Sequence, residues 1–282
     1  MIVDAHLHVW DPRRITYAWL DDGPLHRPFT IGDVSAGLHD AGVAAAVLVQ
    51  AADSAAETAF LLEVAAHHDV VAGVVGWMPL DDPDAMVRAL AERDPRIVGV
   101  RTLIHDRPDP DWIVSDAVRP GLEALADAGL PYDVVTADPA ALGHLPTLGE
   151  RHPTLRLVID HLGKPPVGGS DGDRRVWRAL LAAAAENPLT HAKLSGLAPA
   201  TTDPAASLTD AVRPFVDDAL ELFGPQRLMI GSDWPISSLT ADVAAVWAAI
   251  DACLSGLGDR DRAAVRGGTA TTFYRLDERN HP

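Results

Sequence analysis

The feature that most constrains the fold is an alternation that runs along the whole chain. Short runs of β-type apolar residues alternate with longer Ala- and Leu-rich segments of helical period. The short runs predict strands at 1–8, 44–50, 71–78, 97–103, 131–136, 156–162, 190–196 and 227–233. The longer segments predict helices near 32–41, 54–68, 84–93, 114–128, 139–151, 173–186, 206–223 and 240–254. Eight such units in 282 residues match the size of an α/β protein with a single (β/α)8 TIM barrel.

A doubly wound open sheet would show the same alternation. The first strand is not followed by a glycine-rich phosphate loop, which favours the barrel. We find no repeat or linker, so we expect one domain over residues 1–277 and a frayed tail at 278–282. Residues 11–31 and 163–172 form long connections after the first and sixth strands. In a barrel both connections lie at the active-site end, where they could form a lid or a substrate wall.

Composition narrows the functional classes. A formal net charge of −17 would repel phosphate backbones, so nucleic acid is not an expected partner. The apolar run at 70–78 is too short to span a bilayer, and Asp4 interrupts any apolar leader. The single cysteine, Cys253, fits a reducing compartment and a core position. We therefore expect a cytoplasmic protein that binds neither nucleic acid nor membrane. Its oligomeric state is left open.

The first strand ends in a pair of histidines. His6 and His8 are two residues apart, so both side chains point to one face, roughly 6–7 Å apart along the strand. Such a pair can hold a metal or polarise an oxygen-rich substrate, although each could also be a structural histidine. Closure of the barrel would bring Asp233, after the last strand, next to the pair. This coincidence favours a functional site.

Polar residues recur at the other predicted strand ends. In a core each would need a hydrogen-bond partner, which is costly unless the group has a use. Some have structural alternatives, because Gln50 could bind loop backbone, Arg101 could pair with an acid, and Lys193 could pair in the barrel floor. Asp160 precedes His161 by one residue, so we expect it to face the opposite side and anchor the barrel to a helix. The candidate set is His6, His8, Gln50, Trp77, Arg101, His105, His161, Lys193, Ser195, Asp233 and Trp234.

Five sequence motifs contain the candidate residues. They are Asp4-Ala5-His6-Leu7-His8-Val9-Trp10, Gly99-Val100-Arg101, Asp160-His161-Leu162-Gly163-Lys164-Pro165, Lys193-Leu194-Ser195-Gly196-Leu197 and Gly231-Ser232-Asp233-Trp234-Pro235. Together they resemble the amidohydrolase superfamily and, more narrowly, its branch of sugar-lactone and pyrone-dicarboxylate lactonases. The resemblance covers essentially the whole chain and implies a TIM barrel that hydrolyses a cyclic ester.

The resemblance also implies roles. Asp233 would be the general base that activates water, which fits a carboxylate that is ionised at pH 7. The imidazoles of His6, His8 and His161 would bind and polarise the lactone carbonyl, assisted by Arg101. The expected partner is a small-molecule lactone. The residues expected to contact it are Gln50, Trp10, Trp77, His105, Ser195 and Trp234, where the tryptophans could stack on a ring or serve only as packing.

A single divalent metal ion, with Zn²⁺ first, could bind to His6, His8 and Asp233. Metal-dependent members of the superfamily carry a lysine or carboxylate at the end of strand four and a histidine at the end of strand five. This chain has Arg101 and then Val134-Val135-Thr136 there, so we do not expect a binuclear centre. Some members of the lactonase branch work without an ion, so the ion could be dispensable.

Two other functions are weighed against a lactone hydrolase. A zinc-dependent decarboxylase of the same superfamily would share the His-x-His strand but would require the strand-five histidine that is missing here. A non-catalytic barrel that binds a sugar acid would not require His6, His8, His161 and Asp233 together. The sequence does not fix which lactone is the substrate.

Overall fold

A computed structural model describes residues 1–198 and 207–277, and within them eight strands form one sheet. Each strand pairs in parallel with the next in chain order, as the barrel prediction requires. The tail predicted at 278–282 lies outside the described residues. The strands are β1 Val3–Leu7, β2 Ala45–Val49, β3 Val71–Gly76, β4 Ile97–Leu103, β5 Tyr132–Val135, β6 Leu157–Ile159, β7 Thr190–Leu194 and β8 Leu228–Ile230.

Helices connect successive strands. Several begin at capping residues: the side chains of Ser54, Asp82 and Asp138 accept hydrogen bonds from backbone N–H groups of the first helical turn. The helix predicted at 139–151 is divided at His144, where a second helix begins with a proline in its first turn. The α-helices are α1 Ile31–Asp40, α2 Ala55–His67, α3 Pro83–Ala91, α4 Arg119–Asp127, α5 Pro139–Gly143, α6 Leu145–Arg151, α7 Asp171–Ala185, α8 Leu208–Phe223, α9 Val243–Cys253, α10 Asp259–Ala263 and α11 Thr269–Tyr274.

Backbone hydrogen bonds between the two ends of the sheet close the barrel. Asp233 N donates to His6 O at 2.8 Å, and His8 N donates to Trp234 O at 2.7 Å. Gly231 makes this approach possible, since a Cβ there would overlap the His6 side chain. The chain segment after β8 therefore runs beside the histidine pair of β1, as the sequence predicts.

A register shift in β1 determines what faces the barrel interior. Val3 and Ala5 belong to the inner apolar cluster, whereas Leu7 packs in the outer layer with the helices. The pairing of β1 with β2 shifts between Asp4 and Leu7, and His6 also lies inside the barrel. Such an irregularity re-aims side chains on a strand. The shift allows the apolar residues and the imidazole of the same strand to face the barrel interior at successive levels along its axis.

The amino end of the barrel is closed by α11. Phe273 and Tyr274 pack against inner valines, among them Val47 and Val98, and against Met229. The Tyr274 hydroxyl continues upward and donates to Asp133 Oδ2 at 2.7 Å. The apolar cluster at the amino end of the barrel is therefore followed by a layer of buried charged side chains. This layer lies just below the carboxyl end of the strands. None of the helices in the described ranges has the length and apolar character that crossing a membrane requires.

Candidate active site

Three imidazoles and one carboxylate meet at the carboxyl end of the barrel. His6, His8, His161 and Asp233 are all at most 4% exposed. His6 Nε2 lies 3.1 Å from His8 Nε2. Asp233 Oδ1 lies 3.4 Å from His8 Nε2, 3.7 Å from His6 Nε2 and 3.9 Å from His161 Nε2. The structure therefore brings together the four residues that the sequence singles out most strongly.

Unusual backbone conformations position this group. Asp233 has φ of 56°, and His161 and Leu162 have φ of 56° and 51°. Left-handed φ values are uncommon for residues other than glycine and often accompany functional sites. Gly196 contributes in another way, because a Cβ at this position would overlap the His161 ring. The chain accepts strain here in order to direct these side chains inward.

Hydrogen bonds to the outer ring nitrogens fix two of the imidazoles. His8 Nδ1 lies 2.7 Å from Val49 O, and since a carbonyl can only accept, Nδ1 carries the proton. His8 Nε2 faces Asp233 and His6. His161 Nδ1 lies 2.9 Å from Ser195 Oγ, which orients the ring from below. Ser195 thus supports His161 and does not line the cavity.

The position of Asp160 differs from the one predicted from the sequence. It does not anchor the barrel to a helix, because its Oδ2 accepts from Arg101 Nη1 at 3.0 Å and its Oδ1 lies 3.0 Å from Lys193 Nζ. The reason is that β6 ends at Ile159 and the chain then turns into left-handed residues, so strand alternation no longer applies. Lys193 also binds Asp133 Oδ2 at 2.6 Å. Lys193 thus pairs with two buried carboxylates, which is the structural alternative that the sequence left open for it.

Burial and neighbouring charges shift the pKa values of the site. Burial lowers the pKa of His6 well below its ordinary value and that of His161 to about 3, so both rings are neutral at pH 7. Burial opposes ionisation of Asp233, but the imidazoles, His161 first, hold its pKa below the usual range. Lys193 and His6 likewise keep the pKa of the buried Asp160 low. Asp233 is thus an ionised acceptor beside neutral rings.

His8, His161 and Asp233 form the floor of a cavity of about 360 Å³. His6 contacts all three without lining the cavity. Trp10 and Trp19 provide an aromatic wall, and His105 and Lys164 stand at the exposed rim. The other lining residues are Ala51, Arg101, Leu103, Asp106, Val135, Ala137 and Ile236. An apolar wall with a few convergent polar groups is typical of a small-molecule site.

Four residues predicted to contact substrate lie off this cavity. Besides Ser195, these are Gln50, Trp77 and Trp234. Gln50 Nε2 donates to Arg101 O at 3.0 Å. This is a backbone contact, but to strand β4 and not to the loop considered from the sequence. Trp234 packs edge-on against Phe29 with ring centroids 5.4 Å apart, and Trp77 is half-buried away from the floor. Direct contact of these side chains with substrate therefore has no support in the geometry.

Among the lining residues that sequence reasoning missed, Trp19 and Lys164 offer an aromatic ring and a positive charge. Trp19 lies in the long connection after β1, and its Nε1 donates to Ala51 O at 2.6 Å. Lys164 follows His161 in the connection after β6 and has φ of 57°. Both connections were recognised as possible walls, so their aromatic and cationic side chains were the available signal. Trp10 ties the first connection down, because its Nε1 donates to Arg27 O at 3.0 Å.

The central group fits a single metal ion. Tetrahedral zinc with bonds of about 2.0–2.2 Å places its ligand atoms about 3.3–3.6 Å apart. His6, His8 and Asp233 present ligand atoms separated by 3.1, 3.4 and 3.7 Å. A second group of His6, Asp160 and His161 is also compact, but Asp160 is held by Arg101 and Lys193. The first group is therefore the better candidate.

The family model described as amidohydrolase matches residues 3–276 of this chain. Two curated relatives, the L-fucono-1,5-lactonases of Burkholderia ambifaria and Burkholderia multivorans, are 36% and 35% identical. Each alignment covers 98% of this chain and 96% of the relative. A crystal structure of an amidohydrolase from Burkholderia multivorans with bound zinc is 33% identical, covers 98% of this chain and 99% of that one, and superposes with a TM-score of 0.91. The chain therefore belongs to the amidohydrolase family.

Proposed function

We propose that the protein hydrolyses the lactone of a sugar acid, with Asp233 as the base that accepts a proton from the attacking water. The observation that carries the proposal is the placement of an ionised carboxylate among three imidazoles on the floor of a cavity of about 360 Å³. The similarity to two L-fucono-1,5-lactonases supports the choice of a lactone.

We assign each residue a role from its charge and from the position of its protons. Asp233 takes the proton as water adds to the carbonyl carbon. Arg101 lines the cavity as a cation, so the positive charge of its guanidinium can stabilise the developing oxyanion. If Ser195 donates to His161 Nδ1, His161 keeps its proton on Nε2 and can donate to the ester as well. Proton return to the ring oxygen then opens the lactone.

A divalent ion would be held by His6, His8 and Asp233. Zinc is the first candidate, because two imidazoles and a carboxylate leave one position open on a tetrahedral ion. Such an ion would polarise the carbonyl and lower the pKa of a bound water. The neutral state of His6 is compatible with this role.

The cavity favours a neutral sugar lactone over a dicarboxylate. Arg101 is already paired with Asp160, which leaves Lys164 as the exposed cation of the lining. A dicarboxylate would need two cationic anchors, and the net charge of −17 would oppose its approach. Trp10 and Trp19 instead offer apolar faces to a sugar ring. We therefore place aldonolactones, of the L-fucono-1,5 type, ahead of pyrone dicarboxylates.

The first test is a pH-indicator assay on a panel of aldonolactones and pyrone carboxylates. We expect Asp233→Asn to lower kcat by about 10²–10⁴-fold, the usual contribution of a general base. Asp106→Asn is the matched control, because Asp106 is a second carboxylate of the lining but lies at the exposed rim. Equal loss in both variants, or full activity of Asp233→Asn, would contradict the assignment.

The same assay with and without chelator decides the role of metal. Activity that survives chelation would assign catalysis to the protein groups alone. Loss on chelation with recovery on addition of Zn²⁺ would instead assign it to the ion at His6, His8 and Asp233. Turnover of no lactone would overturn the proposed function and lead to the decarboxylase, although β5 is followed by Thr136 and Ala137 and not by the histidine expected for that activity.

A further inference from the structure

We propose that Asp4 is a positioning residue that places both His6 and Asp233 through hydrogen bonds to their backbone. The side chain of Asp4 does not line the cavity, so it acts on the reaction only through these two residues. The inference rests on the proposed function in taking His6 and Asp233 as parts of the active site. It concerns the backbone that carries them.

The carboxylate of Asp4 has no exposed surface. Its Oδ1 accepts from His6 N at 3.1 Å and from Ser232 N at 2.9 Å. Its Oδ2 lies 3.4 Å from Trp247 Nε1 in α9. A carboxylate oxygen has two lone pairs, so Oδ1 can accept both backbone bonds at once. One oxygen thereby joins the strand that carries His6 to the segment that carries Asp233.

The bond from His6 N coincides with the register shift of β1. A residue inside a sheet normally donates its N–H to a neighbouring strand, but His6 donates to a side chain two residues earlier. Strict alternation from Val3 and Ala5, which face inward, would turn His6 outward with Asp4. The shift turns His6 inward instead. Asp4 is in place for this bond because Ser232, distant in sequence, donates to the same oxygen.

The bond from Ser232 N acts on the segment that carries the base. Asp233 has φ of 56°, a left-handed value that a residue other than glycine keeps only when surrounding contacts enforce it. Three successive N–H groups are held here. Ser232 N donates to Asp4, Asp233 N donates to His6 O at 2.8 Å, and Trp234 N donates to Ser232 Oγ at 3.2 Å. Asp4 supplies the first acceptor and fixes the residue that supplies the second.

Kinetics of the full-length protein provide the first test. Asp4→Ala removes the acceptor, and we expect kcat to fall by about 10²-fold, because a misplacement of about 1 Å can cost that much. KM should change little, since Asp4 does not line the cavity. Asp94→Ala is the matched control and should keep full activity. Asp94 Oδ1 accepts from Arg96 N at 2.8 Å in the same local pattern, but it lies before β4, at the amino end of the barrel.

Rescue by an isosteric residue separates positioning from charge. Asparagine keeps Oδ1 as an acceptor but would place its amide N–H groups against the indole N–H, so Asp4→Asn is combined with Trp247→Phe. This pair should keep most of the kcat of Trp247→Phe alone, and the comparison remains valid if Asp4→Ala does not fold. Full kcat in Asp4→Ala, or a loss of about 10²-fold in the pair, would overturn the proposal.

Amide hydrogen exchange gives a readout that requires no substrate. In Asp4→Ala the amides of His6 and Ser232 should exchange at least about tenfold faster. The amide of Leu157, which donates to Leu189 O at 3.2 Å elsewhere in the barrel, should not change. Equal acceleration of all three amides, or unchanged exchange, would each contradict a local role. If the unaltered chain hydrolyses no lactone, the proposed function fails, but this experiment still decides whether Asp4 holds the two segments.

Discussion

Asp160 is a single carboxylate shared by two buried cations and an imidazole. Arg101 and Lys193 both lie 3.0 Å from it, and all three side chains are at most 3% exposed. At this depth each charge has lost its hydration, and the ion pairs replace it. The stability of the barrel therefore depends strongly on keeping this group complete.

The first residue-scale prediction concerns that carboxylate. Asp160→Asn should lower the free energy of unfolding by about 3–5 kcal/mol, because it leaves two buried cations with one fewer counter-charge. Urea unfolding followed by circular dichroism measures it. Asp116→Asn removes an exposed carboxylate paired with Arg119 at the surface and should change stability by less than about 1 kcal/mol. Similar losses in both variants would contradict the importance given to burial.

At the scale of residues, the sequence predicts well which residues come together in the site. It predicts less well the direction in which each side chain points. His6, His8, His161 and Asp233 were identified because they are polar at strand ends that a barrel brings together. The inward turn of Asp160 was not predictable, since it depends on an early strand end and on left-handed φ at residues other than glycine. Propensity carries no signal for such strain, which tertiary contacts impose.

Glu57 shows how an element is fixed beside the site. It lies in the first turn of α2, is completely buried, and accepts a hydrogen bond from Ala51 N at 3.0 Å and another from Ala52 N. Ala51 in turn accepts from Trp19 of the long connection. The carboxylate thereby holds the β2–α2 loop, which lines the cavity, against the start of the helix.

A pH dependence follows from Glu57. Burial, its largest perturbation, raises the pKa to about 7, so the folded protein retains a proton that the unfolded chain loses above pH of about 4.5. The stabilising contribution is complete below that pH and is lost as pH rises through 7. Between pH 5 and 8 we expect the unfolding free energy to fall by about 2–3 kcal/mol relative to Glu57→Gln. Parallel profiles for the two proteins would refute the shift.

The elements themselves were largely predictable. Strand and helix positions follow from apolar periodicity and from capping residues such as Ser54 and Asp82, which act locally. The register shift in β1 and the closing of the floor by α11 were not predicted, because both depend on contacts between segments distant in sequence. Local patterns do not encode these contacts.

At the scale of the whole molecule, the net charge of −17 should affect the rate at which a charged substrate associates with the protein. A carboxylated lactone approaches a like-charged protein, and salt screens this repulsion over about 10 Å at 0.1 M ionic strength. We expect kcat/KM for an anionic lactone to rise between 10 and 200 mM NaCl. A neutral aldonolactone measured in parallel is the control and should show little change. A neutral substrate with the same salt response would exclude steering as the cause.

The closing contact between β1 and the segment after β8 has a consequence for biosynthesis. The imidazoles of His6 and His8 leave the ribosome first, but Asp233 and the backbone partners at Asp233 and Trp234 follow only after seven further strands. Until then the nascent chain exposes one unpaired edge of β1 and an incomplete set of reactive groups. Catalytic competence should therefore arise in one late step of translation, and a ribosome stalled before codon 233 should carry a chain with no hydrolytic activity.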